Sequence, residues 1–203
     1  MSLSRAPRGT SRRRVTALTA AVLAGVLGLT ACGSEDKPAS SDGGYIEGTG
    51  QITTVAADDR QPAPDLSGKT VEGGELKLSD YRGKVVVLNV WGSWCPPCRS
   101  EAPAFAKVSK ELEKDGVQFV GLNIRDLDVA NAKAFDRNFE IAYPSLYDPS
   151  GKTLLRFPKG SLNPQAIPST LVLDREGKIA TRALKPLSEP ELREIIEPVL
   201  AEK

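Results

Sequence analysis

The chain has 203 residues, with 27 Lys and Arg against 26 Asp and Glu, for a net charge of +1. That balance leaves no electrostatic footprint for nucleic acid. Histidine is absent altogether, which removes Ser-His-Asp hydrolysis, Cys-His proteolysis and every His-ligated metal site.

At the N-terminus, Arg5, Arg8, Arg12, Arg13 and Arg14 make a basic start, and residues 15–30 are uncharged and rich in Ala, Leu, Val and Gly. Such a segment falls short of the ~20 residues that a helix needs to cross a bilayer. A basic start followed by a short apolar run with small residues predicts a secretory signal peptide over residues 1–31. An uncleaved membrane anchor is the other reading. Leu29-Thr30-Ala31-Cys32 resembles the lipobox of bacterial lipoproteins. That resemblance implies cleavage before Cys32, lipidation of its sulfur, and a lipid anchor on the extracytoplasmic face of the cell membrane. Two or more acyl chains hold a protein stably where one is marginal. Residues 32–60 then read as a lipidated N-terminus and flexible linker, rich in Gly, Ser, Asp and Thr. Tyr45 to Val55 is the stretch that also suits an added strand.

A folded domain is expected over residues 61–203, a common single-domain size. Gly73-Gly74 between two short extended runs, Leu66 to Leu78, signals a hairpin. Lys84 to Val90 is a continuous apolar run, as for a strand buried on both faces. Cys95 to Lys114 reads as a helix with Phe105, Val108 and Leu112 on one face, ended by Asp115-Gly116. Pro103 within it should kink it. Val117 to Asn123 is a second buried strand and Ala130 to Asn138 a short helix. Tyr143 to Phe157, broken by Pro144, Pro149 and Gly151, gives short elements and turns. Thr170 to Asp174 is a third strand, turned by Arg175-Glu176-Gly177 into an antiparallel neighbour over Lys178 to Ala183. Ser188 to Leu200 closes the chain as a helix, with Ser188 as N-cap. The sum is an α/β fold with a mixed central sheet flanked by helices.

The chemistry lies at Trp91-Gly-Ser-Trp94-Cys95-Pro96-Pro97-Cys98-Arg99, where a buried strand gives way to a helix. Unpaired N–H groups and the dipole make a helix N-terminus electropositive. A thiolate there is stabilised, and the thiolate is the nucleophile of disulfide exchange. Cys95 is expected to point outward and attack, and Cys98 to lie beneath it and resolve the mixed disulfide. Pro96 and Pro97 suit a first helical turn, where no N–H partner is needed. Two other readings stay open for the pair. Half of a zinc site would lack further Cys or His ligands, and a structural disulfide closing so small a loop would stabilise little. Glu101, three residues after Cys98, shares a helix face with it. A carboxylate there can raise a thiol's pKa and shuttle its proton, or it can merely complement the dipole as a surface acid. Trp94 offers an apolar docking surface beside Cys95, while Trp91 reads as core. Arg99 reads as an exposed arginine.

Leu78 to Lys84, the strand after it, Trp91 to Pro103, and later Ala166-Ile167-Pro168-Ser169-Thr170 with Leu171 to Asp174 and Gly177-Lys178 together resemble the TlpA/ResA family of membrane-tethered thioredoxin-like proteins. The resemblance runs from about Pro64 to the C-terminus. It implies a thioredoxin-like fold with an inserted segment, residues 125–166, after the second core strand. It implies that Pro168 is the cis-proline beside the redox pair, that the Ile167 backbone pairs with an extended client segment, and that Glu101 is the acid that tunes the site. It further implies reduction of disulfides in exported clients such as apocytochrome c during cytochrome c maturation, with electrons from a CcdA-type membrane thiol transporter. No cofactor is expected. An oxidising, disulfide-forming role runs the same chemistry in reverse, and a non-catalytic surface lipoprotein is the reading from another class. Peroxide chemistry finds no Pro-x-x-x-Thr-x-x-Cys pattern to support it.

Overall fold

The computed structural model describes residues 52–202 except Pro164, together with Ser40, Ser41, Tyr45 and Ile46. The expected signal peptide and Cys32 lie outside the described residues. Ten strands and three α-helices occur in chain order among them. β1 (Ser40–Ser41), β2 (Tyr45–Ile46), β3 (Ile52–Thr54), β4 (Ser67–Lys69), β5 (Glu75–Lys77) and β6 (Val85–Trp91) precede α1 (Pro96–Leu112). β7 (Val117–Ile124), α2 (Val129–Phe139), β8 (Ser145–Asp148), β9 (Ser169–Leu173), β10 (Ile179–Ala183) and α3 (Glu189–Ala201) follow.

Six strands form the central sheet in the order β3-β10-β9-β6-β7-β8. β6 runs parallel to β7, from Val85 opposite Val117 to Trp91 opposite Asn123, and β7 runs parallel to β8. β9, β10 and β3 continue the other half antiparallel. Every residue of β6 is buried, and its alternation divides the core in two. Val86, Leu88 and Val90 join the layer with Leu66, Leu76, Leu78 and Phe157. Val85 and Val87 join the layer that α1 and α3 supply through Phe105, Val108, Leu112, Leu192 and Ile196. Burial of each such side chain contributes about 1.5–3 kcal/mol, so the β-branched run fixes both the strand and its place at the centre.

The hairpin β4–β5 forms across Gly73-Gly74, with the Thr70 N–H donating to the Gly74 carbonyl at 2.8 Å. The α1 helix runs through Pro103 and, after a short 3₁₀ turn, stops at left-handed Gly116. At the start of α3 the Glu191 carboxylate accepts from the Ser188 N–H at 2.9 Å and from its hydroxyl at 2.6 Å, a capping box. Within residues 125–166, α2 carries the chain across to β8, which adds a parallel strand to the sheet.

One expected boundary moves. The folded domain begins before residue 61, because β3 pairs with β10 at the sheet edge and the Val55 N–H donates to the Ala180 carbonyl at 2.8 Å. Arg60 locks this extension. Its guanidinium bonds the Glu202 carboxylate at 2.6 and 2.7 Å and the Asp174 carboxylate at 3.1 Å. The added strand that Tyr45 to Val55 suits therefore forms over Ile52–Thr54, held by backbone pairing and one buried arginine.

Candidate active site

Cys95 caps the N-terminus of α1 and Cys98 lies in its first turn, joined by a disulfide with a Cα–Cα distance of 5.3 Å. The Cys98 N–H donates to Cys95 Sγ at 3.2 Å. The helix therefore already directs one of its unpaired donors at the sulfur that would carry charge when reduced. Pro96 and Pro97 occupy the positions where a missing N–H costs nothing. The arrangement is that of a redox pair; the zinc reading finds no candidate cluster of ligands among the described residues.

The pair is more enclosed than expected. Cys95 is only 3% exposed and Cys98 2%, so in the disulfide form Cys95 does not point outward as the sequence predicts. Both cysteines belong to an apolar cluster with Val71, Trp91, Ala102, Ala132 and Phe135, and Ile167 packs against it. The segment 125–166 contributes to the enclosure: Ala132 and Phe135 of α2 belong to the cluster, and Phe135 stacks on Trp91 at 4.4 Å between ring centroids. Trp91 is core, as expected. Its Nε1–H donates to Ser145 Oγ at 3.2 Å, which ties the end of β6 to β8. Ile167-Pro168 is a cis peptide bond immediately before β9.

Glu101 is buried, not a surface acid complementing the dipole. Its carboxylate accepts from Asn89 Nδ2 at 2.9 Å and from the Leu187 N–H at 3.0 Å. Burial pushes its carboxyl up to about 7, and the two hydrogen bonds only partly offset that. Asn89, the one polar residue inside the apolar run of β6, is thus explained, and it was the signal in the sequence for a buried acid. Trp94 is the exposed aromatic of the site. It is fixed at one edge by Nε1–H donating to the Ile124 carbonyl at 3.2 Å, and the Arg125 guanidinium lies 5.0 Å from its ring centroid. Arg99 is exposed and stacks over Phe139.

Sequence reasoning missed Asp126. This buried carboxylate accepts from the Ser93 N–H at 2.9 Å, from the Ser93 hydroxyl and from Asn123 Nδ2 at 2.6 Å. It moors the loop that leads into Cys95. A lone acid just beyond a buried strand has no spacing motif to announce it, so only the fold reveals the contact.

Residues 60–182 match the AhpC/TSA family. The thiol-disulfide oxidoreductase ResA of Geobacillus thermodenitrificans is 30% identical over 137 residues, which is 68% of this chain and 75% of that protein. The thioredoxin-like protein YneN of Bacillus subtilis is 35% identical over 126 residues, 62% of this chain and 71% of that protein. Among solved structures, a DsbF homologue from Corynebacterium diphtheriae superposes with a TM-score of 0.69 at 33% identity, covering 74% of this chain and 94% of that one. A secreted thiol-disulfide isomerase from Corynebacterium glutamicum gives 0.70 at 31% identity, covering 76% and 94%. A Cys-x-x-Cys disulfide capping a helix beside a cis-proline, on a sheet shared with these proteins, means that the chain belongs to the AhpC/TSA family and is a thioredoxin-like thiol–disulfide oxidoreductase.

Proposed function

We propose that the chain is an extracytoplasmic reductant, held to the membrane through a lipid on Cys32, that opens disulfides in exported proteins such as apocytochrome c. The observation that carries the reading is the buried Glu101 behind a Cys-Pro-Pro-Cys pair at a helix N-terminus. In the reduced protein the Cys95 thiolate attacks a client sulfur, expels the other client sulfur as a thiolate and leaves a mixed disulfide. Cys98 then gives up its proton and attacks Cys95 Sγ, releasing the client as a dithiol and leaving the Cys95–Cys98 disulfide. Glu101, with its carboxyl raised to about 7, is suited to take the Cys98 proton at neutral pH. Trp94 and the backbone at Ile167 flank the pair and supply an apolar face and a strand edge for an extended client segment. Similarity to ResA supports the reductive direction; this direction requires an electron donor outside the cytoplasm, a role we assign to a CcdA-type membrane thiol transporter.

Reduction potential tests the direction. Equilibration of the full chain with dithiothreitol or glutathione couples, read by alkylation and mass, should place the pair at roughly −250 mV or lower. A value near about −120 mV, in the range of a strong oxidant, would replace this reading with disulfide formation.

A further inference from the structure

The register of the sheet places the two ends of the folded domain at opposite poles. β6 ends in Trp91, four residues before Cys95, so the C-terminal end of β6 is the redox pole. Across the sheet, Asn89 pairs with Thr170, Thr170 with Ala183, and Ala183 with Ile52. Ile52, the first residue of β3, is therefore level with the redox end of β6, and β3 begins at that pole. The lateral offset is three strands, roughly 14 Å at about 4.8 Å per strand. The C-terminus lies at the other pole. Arg175, in the turn between β9 and β10, donates to the carbonyls of Glu202 and Leu200 at 2.6 and 3.0 Å. Arg60 clamps Glu202 to Asp174 at that same pole.

We propose that the redox pole is the membrane-facing pole of the anchored protein, so that the Cys95–Cys98 face meets partners whose cysteines lie at the level of the bilayer interface. The inference rests on the reading of Cys32 as the lipid site. From Cys32 to Ile52 the chain spans at most roughly 70 Å when fully extended. The antiparallel pairing of β1 with β2, Ser40 opposite Ile46 and Ser41 opposite Tyr45, shortens that reach. A tether fixed at one pole of a domain keeps that pole nearer its anchor than the opposite one. The redox face also has the composition of an interface-level surface. Trp94 is 47% exposed and Leu127 89%, while Arg99 and Arg125 are exposed beside them. Tethering at this pole raises the effective concentration of membrane-level partners over freely diffusing ones.

Tryptophan fluorescence tests the orientation, because the two tryptophans of the chain, Trp91 and Trp94, both belong to the redox pole. The full chain, lipidated at Cys32, is reconstituted on phosphatidylglycerol–phosphatidylcholine vesicles that carry a dansyl-headgroup lipid. Energy transfer from tryptophan to dansyl is compared with that of a Cys32→Ala chain anchored through a hexahistidine after Lys203 on nickel-chelating lipid. Transfer at least twofold greater for the N-terminal anchor is the expected result. Equal transfer, or more from the C-terminal anchor, overturns the proposal. Mass spectrometry of the N-terminal peptide reports lipidation separately. If Cys32 carries no lipid, an N-terminal hexahistidine supplies the anchor and the same comparison decides the orientation, so failure of the lipid reading and failure of this one are told apart.

Discussion

Glu101 holds its proton to about pH 7 in the folded chain, against an ordinary value of 4.5, because burial opposes its charge. Between those values the folded chain binds more protons at this position than the unfolded chain does. The carboxyl therefore subtracts stability as pH rises through that window. A displacement of this size corresponds to about 3 kcal/mol. Glu101→Gln removes the titration but leaves one amide N–H₂ facing the Asn89 or Leu187 donor. We expect the variant to be less stable than the native chain at pH 5 by about 1 kcal/mol. We expect it to gain about 2–3 kcal/mol relative to the native chain by pH 8. Urea denaturation at the two pH values checks this, and parallel pH curves would contradict it. Asp136, raised to about 7 mainly by burial and then by Glu72 and Asp126, adds to the native slope in the same direction. In the reduced protein an ionised Glu101 opposes a second negative charge nearby, so Glu101→Gln should lower the apparent pKa of the coupled thiols. A pH profile of thiol alkylation reads that shift directly.

At the level of elements, the site depends on close approaches between strands. A Cβ on Gly121 of β7 would lie 2.7 Å from Trp91 Nε1 and 2.9 Å from Ser145 Cβ. Gly121→Ala should therefore cost about 1–3 kcal/mol as overpacking, read from the denaturant midpoint. It should also loosen the Trp91–Ser145 bond beneath the redox pair. The edge strand β3 depends on the Arg60 clamp. Arg60→Ala should destabilise by about 1–3 kcal/mol, since it removes the cation from Asp174 Oδ2 and leaves that carboxylate only the Glu176 and Lys178 N–H groups on Oδ1. Amide exchange should speed up at residues 52–55 and not in β6. Uniform acceleration would show that β3 does not open independently. These two devices were not legible in the sequence. Gly121 reads as one more small residue in a strand, and while Tyr45 to Val55 suits an added strand, nothing local names Arg60 as its clamp or a partner over a hundred residues away. The elements with a strong local signal were legible: the apolar β6 and β7, the amphipathic α1, the Gly73-Gly74 hairpin and the Ser188 cap.

At the scale of the whole molecule, the α/β architecture and the redox pair follow from pattern and motif. The enclosure of the pair does not. A Cys-x-x-Cys at a helix N-terminus leads to the expectation of an outward first cysteine, and nothing local says that α2 will bring Phe135 into one apolar cluster with the pair. Helical spacing puts Glu101 on the face of α1 that carries Cys98, but its burial depends on Asn89 and Leu187, which lie outside α1. Enclosed as it is, Cys95 must become reachable for a client sulfur during exchange. Trapping of clients in vivo tests the division of labour most directly. In a strain that expresses the full chain, Cys98→Ser should accumulate mixed disulfides with exported proteins on non-reducing gels, because Cys95 attacks and nothing releases it. Cys95→Ser should trap none. Trapping by Cys95→Ser and not by Cys98→Ser would contradict the assigned roles, and trapping by neither would contradict the exchange chemistry itself.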